Sequence, residues 1–211
     1  MTNIIVFGDS IAWGAYDQEK GGWVERLRLR LAPHDIDVYN CGVSGNRTAD
    51  LLKRLENEAK ARSGRENVII MIAIGINDAT FIRPLRKNEV SKEDFEKNLT
   101  QIYRKALQIT KSVIAMGLIK IDDSKTRPLS WDTGKELRDA DAQAYERIAQ
   151  QVSGQAGIPF IAVRDLLKPS DLYDGLHPNS KGHNKIFKEV EGFLKKGKYL
   201  ESAFIAKTHQ I

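Results

Sequence analysis

One cysteine in 211 residues, Cys41, leaves no intrachain disulfide to staple the chain and suits a reducing compartment. No apolar run approaches the roughly 18 to 20 residues that a membrane-spanning helix needs, so no membrane span is expected. The N-terminal stretch lacks a basic residue ahead of its short apolar run, and that run stops at Gly8-Asp9. It reads as a first strand, not as a secretory leader, and the expected location is cytoplasmic. Neither a phosphate-binding Gly-x-x-x-x-Gly-Lys-Ser/Thr loop nor a Gly-x-Gly-x-x-Gly fingerprint is present, which removes the usual support for nucleotide or dinucleotide binding. The Gly-x-Ser-x-Gly elbow is also missing. Its nearest approach, Gly42-Val43-Ser44-Gly45-Asn46, has asparagine where the last glycine belongs. His34, His177, His183 and His209 follow no metal-ligand spacing, so neither a metal nor another cofactor is expected. No segment repeats at a fixed period.

Charge of one sign is scarce as a block. The 33 basic and 28 acidic residues, net +5, are interleaved as on solvated helix faces. Nucleic acid is therefore not an expected partner. The one dense cluster, Lys195-Lys196-Gly197-Lys198, falls where a helix should end, and cations there favour the negative end of the helix dipole. Arg26, Arg28 and Arg30 lie in a segment whose Trp23, Val24, Leu27 and Leu31 have helical spacing, so the arginines read as its exposed side.

Five short β-rich runs occupy residues 4–7, 36–39, 68–74, 113–116 and 160–163. Most lack polar alternation, as strands covered on both faces do. Helical periodicity fills the gaps at 23–31, 48–62, 91–109, 135–152 and from about 179 to 194; the third begins with a capping box from Ser91 to Asp94. Strands alternating with helices predict a three-layer α/β/α domain with a flavodoxin-like five-stranded parallel sheet of order 2-1-3-4-5. A single domain is expected over residues 1–196, with 197–211 as an extension that packs as a short helix through Tyr199, Leu200, Phe204 and Ile205 or mediates a dimer contact. No heptad or long apolar tail indicates an oligomeric state.

In such a sheet, ligands bind at the carboxyl ends of the strands. Ser10 follows the first strand, Gly45 the second, Asn77 the third, and Asp174 with His177 the fifth. A histidine oriented by a carboxylate can take the proton of a serine hydroxyl, which makes Ser10, His177 and Asp174 a nucleophilic triad. The backbone N–H groups of Ser10 and Gly45, with the Asn77 amide, can form an oxyanion hole. Asp9 and Asp78 read as braces of their loops.

Phe7-Gly8-Asp9-Ser10-Ile11, Asn40 through Gly45, Gly75-Ile76-Asn77-Asp78 and Asp174-Gly175-Leu176-His177-Pro178 occur in that order, and together they resemble the blocks of the SGNH or GDSL hydrolases. Ile11 replaces the usual leucine, and Ile76 stands where many members have a second glycine. The resemblance spans residues 4 to about 190. It implies that Ser10, Gly45, Asn77 and His177 take the four eponymous roles, with Asp174 orienting the histidine. It also implies a small-molecule ester substrate: a short-chain or acetyl ester, a lysophospholipid, an acyl thioester or an acetylated carbohydrate. Pocket walls are expected from Ile11, Trp13, Tyr16, residues 81–85 including Phe81, Trp131 and Leu176. The 118–133 connection reads as a surface loop, with a lid as the alternative. Two other functions stay open from sequence: a catalytically silent binding domain, and a metal-dependent phosphoesterase using Asp9, Asp78 and Asp174.

Overall fold

The computed structural model describes residues 1–200. In chain order its elements are β1 (Thr2–Gly8), α1 (Ser10–Trp13), α2 (Trp23–Leu31), β2 (Ile36–Gly42), α3 (Thr48–Lys60), β3 (Asn67–Ala73), β4 (Phe81–Ile82), β5 (Lys87–Asn88), α4 (Lys92–Ile109), β6 (Ser112–Met116), α5 (Asp123–Thr126), β7 (Lys135–Glu136), α6 (Asp139–Gln155), β8 (Phe160–Ile161) and α7 (Ser180–Lys196). The main sheet is parallel, with order β2-β1-β3-β6-β8. Counted within that sheet alone, this is the expected 2-1-3-4-5. Helix α2 packs with α7, while α3, α4 and α6 form a second group, giving layers on both faces of the sheet.

Every residue of β1 is buried, because this strand lies inside the sheet and is covered above and below. Ile4, Ile5, Val6 and Phe7 supply the apolar surface that such a position needs. The register aligns Gly8 with Gly42 on one side and with Ala73 on the other. Three strands thus end in one row, and their loops emerge together at the point where the strand order reverses.

Helix α4 starts as its sequence predicts. The Ser91 side chain accepts the Asp94 N–H at 3.1 Å, and Phe95, Leu99, Ile102 and Ala106 are buried along one stripe. One apolar cluster runs from Ile4 to Leu200. Tyr199 and Leu200 join it, so the core reaches past residue 196; the other two residues named for a C-terminal helix, Phe204 and Ile205, lie outside the described part.

Four expectations need correction. Residues 135–136 do not begin a helix but form β7, which with β4 and β5 makes a second, antiparallel sheet of order β5-β4-β7. Strands of two residues carry no periodicity to read. Strand β8 stops at Ile161, short of residue 163. The 118–133 connection is not a plain surface loop: Leu118, Ile119, Ile121, Thr126 and Leu129 are buried, and α5 lies within it.

Arg26 is buried, unlike Arg28 and Arg30 on the same helix. Its partner explains why. The Asp17 carboxylate, wholly enclosed, receives Nη2 of Arg26 at 2.9 Å, the N–H groups of Gly22, Glu19 and Lys20, and the Ser180 hydroxyl at 2.6 Å. Burial opposes its ionisation, but these bonds prevail and hold its carboxyl far below the usual carboxylate range. The turn that delivers Asp17 starts at Gly14, whose φ of 101° is open to glycine and where a Cβ would sit 2.1 Å from the Gly21 carbonyl oxygen.

Replacing Asp17 by alanine strands the Arg26 charge, and a loss of about 3 to 5 kcal/mol in urea-unfolding free energy is expected. In the wild type, the unfolded carboxyl takes its proton near pH ~4, while the folded one resists protonation to lower pH. The contribution is therefore complete above that value and declines as the pH falls below it; Asp17→Ala should show a flatter acid limb in pH-dependent melts.

Candidate active site

The aligned ends of β1, β2 and β3 bring three loops to one edge. In the first, the Asp9 carboxylate accepts the Ile11 N–H at 2.9 Å and caps α1, so Ser10 occupies the first helical position. In the second, Gly45 takes a φ of 78°, a conformation that a side chain would strain. The third presents Asn77 and Asp78 directly after β3.

Opposite them, residues 172–178 close on themselves. A bridge joins Leu172 to Pro178, and the Tyr173 N–H donates to the His177 carbonyl at 2.8 Å. Within this turn, Asp174 Oδ1 accepts the N–H groups of Leu176 at 3.0 Å and His177 at 2.8 Å, while Oδ2 lies 2.7 Å from His177 Nδ1. Burial raises the cost of its charge, but these hydrogen bonds outweigh it and hold the Asp174 carboxyl below its ordinary range. An ionised Asp174 accepts a hydrogen bond from the Nδ1–H group, which leaves Nε2 as an acceptor. Ser10 Oγ lies 2.9 Å from it, across 167 positions of sequence.

The Gly45 turn is held from several directions. Asn77 Nδ2 donates to the Asn46 carbonyl at 3.0 Å, which uses one of its two amide hydrogens. Arg54 donates to the Asn46 side chain at 2.8 Å and to the carbonyls of Cys41 and Gly8, at 2.9 and 3.2 Å. Asp78 accepts the Thr48 N–H and hydroxyl from a fully buried position. Burial pushes Asp78 up to about 7, with Thr48's bonds opposing and the charge of Asp9 adding; burial likewise pushes Asp9 up to about 6. Both acids are engaged by neighbouring backbone N–H groups, and Asp174 by His177. Among the described residues, no group of three or more His, Cys, Asp or Glu side chains is placed to hold a metal ion.

Ser10, Gly45, Asn77 and His177 line a cleft of about 600 Å³. Trp13, Tyr16, Trp131 and Leu176 line it too. Ile11 does not: it faces a small cavity with Ala12, Ala73 and Met116. On α1, positions 10 and 13 share a face, and position 11 turns towards the sheet. Phe81 is also absent from the cleft wall. Its ring is covered by the Arg138 guanidinium, 3.3 Å from the centroid, while Thr80 beside it faces the cleft. The sequence reading missed Thr80, Leu129 and Leu137, and the chain of Arg47, Glu89 and Lys135. Arg47 Nη1 meets Glu89 at 2.7 Å, and Lys135 Nζ meets it at 3.5 Å. The only local signal was the position of Arg47, two residues beyond Gly45.

The pattern of the GDSL-like Lipase/Acylhydrolase family matches residues 6–185. The chain belongs to that family. An acetylxylan esterase of Geobacillus stearothermophilus is 28% identical over 159 residues, covering 70% of this chain and 67% of that protein. An uncharacterised protein, YpmR, of Bacillus subtilis is 25% identical over 212 residues, 92% of this chain and 81% of the relative. The crystal structure of the lipase/acylhydrolase from Enterococcus faecalis superposes with a TM-score of 0.72 at 25% identity, over 93% of this chain and 96% of that one. As a GDSL-family member the protein is a carboxylic ester hydrolase. No helix among its described residues is long and apolar enough to cross a membrane.

Replacing Asp78 by alanine leaves the Thr48 donors unpaired inside this GDSL-family fold, and a loss of roughly 1 to 3 kcal/mol is expected in urea melts. The conservative Asp78→Asn tests the charge. Because the folded Asp78 keeps its proton up to about 7 while the unfolded one releases it near pH ~4, wild-type stability should fall as pH rises through that window. Asp78→Asn should reduce that fall.

Proposed function

We propose that the enzyme hydrolyses short-acyl carboxylic esters through a covalent acyl-enzyme on Ser10. The observation that carries the reading is the continuous chain from Ser10 Oγ to His177 Nε2, at 2.9 Å, and from Nδ1 to the Asp174 carboxylate, at 2.7 Å.

His177 Nε2 takes the hydroxyl proton as Ser10 Oγ bonds to the ester carbon, and the carbonyl electrons move onto oxygen. The N–H groups of Ser10 and Gly45 and the second amide hydrogen of Asn77 receive that oxyanion. The bond to the leaving oxygen breaks as the His177 imidazolium donates its Nε2 proton to it, and the alcohol departs. Water then repeats the cycle: His177 takes one proton, the hydroxide adds to the acyl carbon, and Ser10 leaves with its proton restored. Asp174 keeps its negative charge throughout and stabilises the imidazolium at each stage.

The acyl side supports a short group. Besides Gly45 and Asn77 the wall includes Thr80 and the charged chain of Arg47, Glu89 and Lys135, next to Leu129 and Leu137. Each buried methylene is worth about 0.8 kcal/mol only if it enters apolar surroundings. A long chain laid against these ion pairs would remove them from water and gain little in return. An acetyl group needs no such channel, and acetylated carbohydrate is the substrate class suggested by the acetylxylan esterase relative.

Wild type should turn over p-nitrophenyl acetate much faster than p-nitrophenyl decanoate. Ser10→Ala and His177→Ala should each lower kcat by roughly 10⁴-fold or more, and Asn77→Ala by about 10² to 10³-fold. A fluorophosphonate probe should label wild type on Ser10 alone, as read by peptide mass spectrometry. Undiminished turnover in Ser10→Ala would remove the acyl-enzyme.

A further inference from the structure

The geometry points to a leaving-group subsite formed by Tyr16 and Trp131 beside His177, built to take the ring face of a pyranose alcohol. The assignment rests on the acyl-enzyme reading, because that chemistry fixes which side of the cleft the alcohol occupies. His177 must hand its Nε2 proton to the departing oxygen as the carbon–oxygen bond breaks, so the alcohol lies against this histidine and the acyl group away from it.

Two aromatic rings lie next to the imidazole. The Tyr16 centroid is 5.0 Å from that of His177, inclined by 44°, and the Trp131 centroid is 5.9 Å away, inclined by 45°. Tyr16 is supported by Tyr173, stacked at 4.4 Å and 18°. All these rings face water: Tyr16 is 44% exposed, Trp131 52% and Tyr173 55%. Among the described residues the only other strongly exposed aromatic is Trp13, and it lines the same cleft. Among the described residues, every strongly exposed ring therefore lines this cleft or stacks on a ring that does, which singly scattered surface aromatics would not do.

Tyr16 is also held in place at a cost. It adopts a φ of 63°, a left-handed conformation unfavourable for a bulky side chain. Its neighbours enforce it. His183 donates from Nε2 to the Ala15 carbonyl at 2.9 Å, and the next residue, Asp17, is the buried anchor described above. A fold that fixes both sides of a strained, half-exposed tyrosine has a rigid platform at its cleft.

Rings favour rings here. A pyranose carries one face of C–H groups that stacks on an aromatic surface, while its rim hydroxyls stay hydrated in an open cleft. A flexible alkyl alcohol would gain less from flat walls and would leave them partly wet.

The test compares kcat/KM for a mono-acetylated methyl xylopyranoside with that for ethyl acetate, in wild type, Tyr16→Ala, Tyr16→Phe and Trp131→Ala, with thermal melts to verify folding. The selectivity ratio should fall at least tenfold in both alanine variants, mainly through KM, and Tyr16→Phe should keep it. An unchanged ratio in folded alanine variants overturns the subsite, as does an equal loss in Tyr16→Phe. Phenyl acetate is the third substrate: a loss confined to it would assign the walls to an aryl alcohol and overturn the pyranose. Fluorophosphonate labelling runs in parallel. Labelling at Ser10 with an unchanged ratio refutes the subsite alone, whereas wild type that fails to label refutes the acyl-enzyme and the subsite with it.

Discussion

The parallel register of three strands governs this molecule. With Gly8, Gly42 and Ala73 paired in one row, the loops after β1, β2 and β3 have no choice of edge, and Ser10, Gly45 and Asn77 come together without long excursions of chain. A slip of one residue in β1 would turn Ile4 and Val6 to the face now occupied by Ile5 and Phe7, and would move Ser10 by one strand rise, ~3.3 Å, from the histidine. The apolar content of β1 thus sets the distance from Ser10 to His177, since the same burial that holds the sheet together holds its register.

Around that row the fold buries several charges, and the outcome differs with their partners. Asp17 has a guanidinium, three backbone donors and a hydroxyl, and it stays strongly ionised. Asp174 shares its carboxylate between two backbone N–H groups and an imidazole, so its charge is available to orient His177. Asp9 and Asp78 have hydrogen bonds but no salt bridge among the described residues, and burial prevails. Four aspartates near one cleft therefore divide into two whose hydrogen bonds and paired charges outweigh the cost of burial and two whose hydrogen bonds do not.

The architecture was legible because the main strands are continuous apolar runs between segments of clear helical period. The candidate site was legible because its residues lie in turn motifs directly after those strands. Other features left no such mark. The β5-β4-β7 sheet consists of two-residue strands, and its contribution to the cleft, Thr80 with Glu89 and Lys135, comes from positions whose neighbours face elsewhere. Arg26 looked like Arg28 and Arg30 because its partner, Asp17, lies outside the helix and beyond any periodic pattern. Ile11 and Phe81 were drawn towards the cleft by their closeness in sequence to Ser10 and Asn77, whereas helix rotation turns the one away and the Arg138 guanidinium covers the other.

The turn that carries Asp174 and His177 is closed by its own backbone, through the Leu172 to Pro178 bridge and the Tyr173 N–H. The proposed acid and base thus assemble locally, whereas His177 and Ser10 meet only across 167 positions. During folding, the first pairing requires closure of one short turn and the second requires nearly the entire chain to be in place. On the proposed mechanism, hydrolytic competence is accordingly a late acquisition: a chain with a correct turn but an undocked first strand carries the Asp174–His177 pair without Ser10.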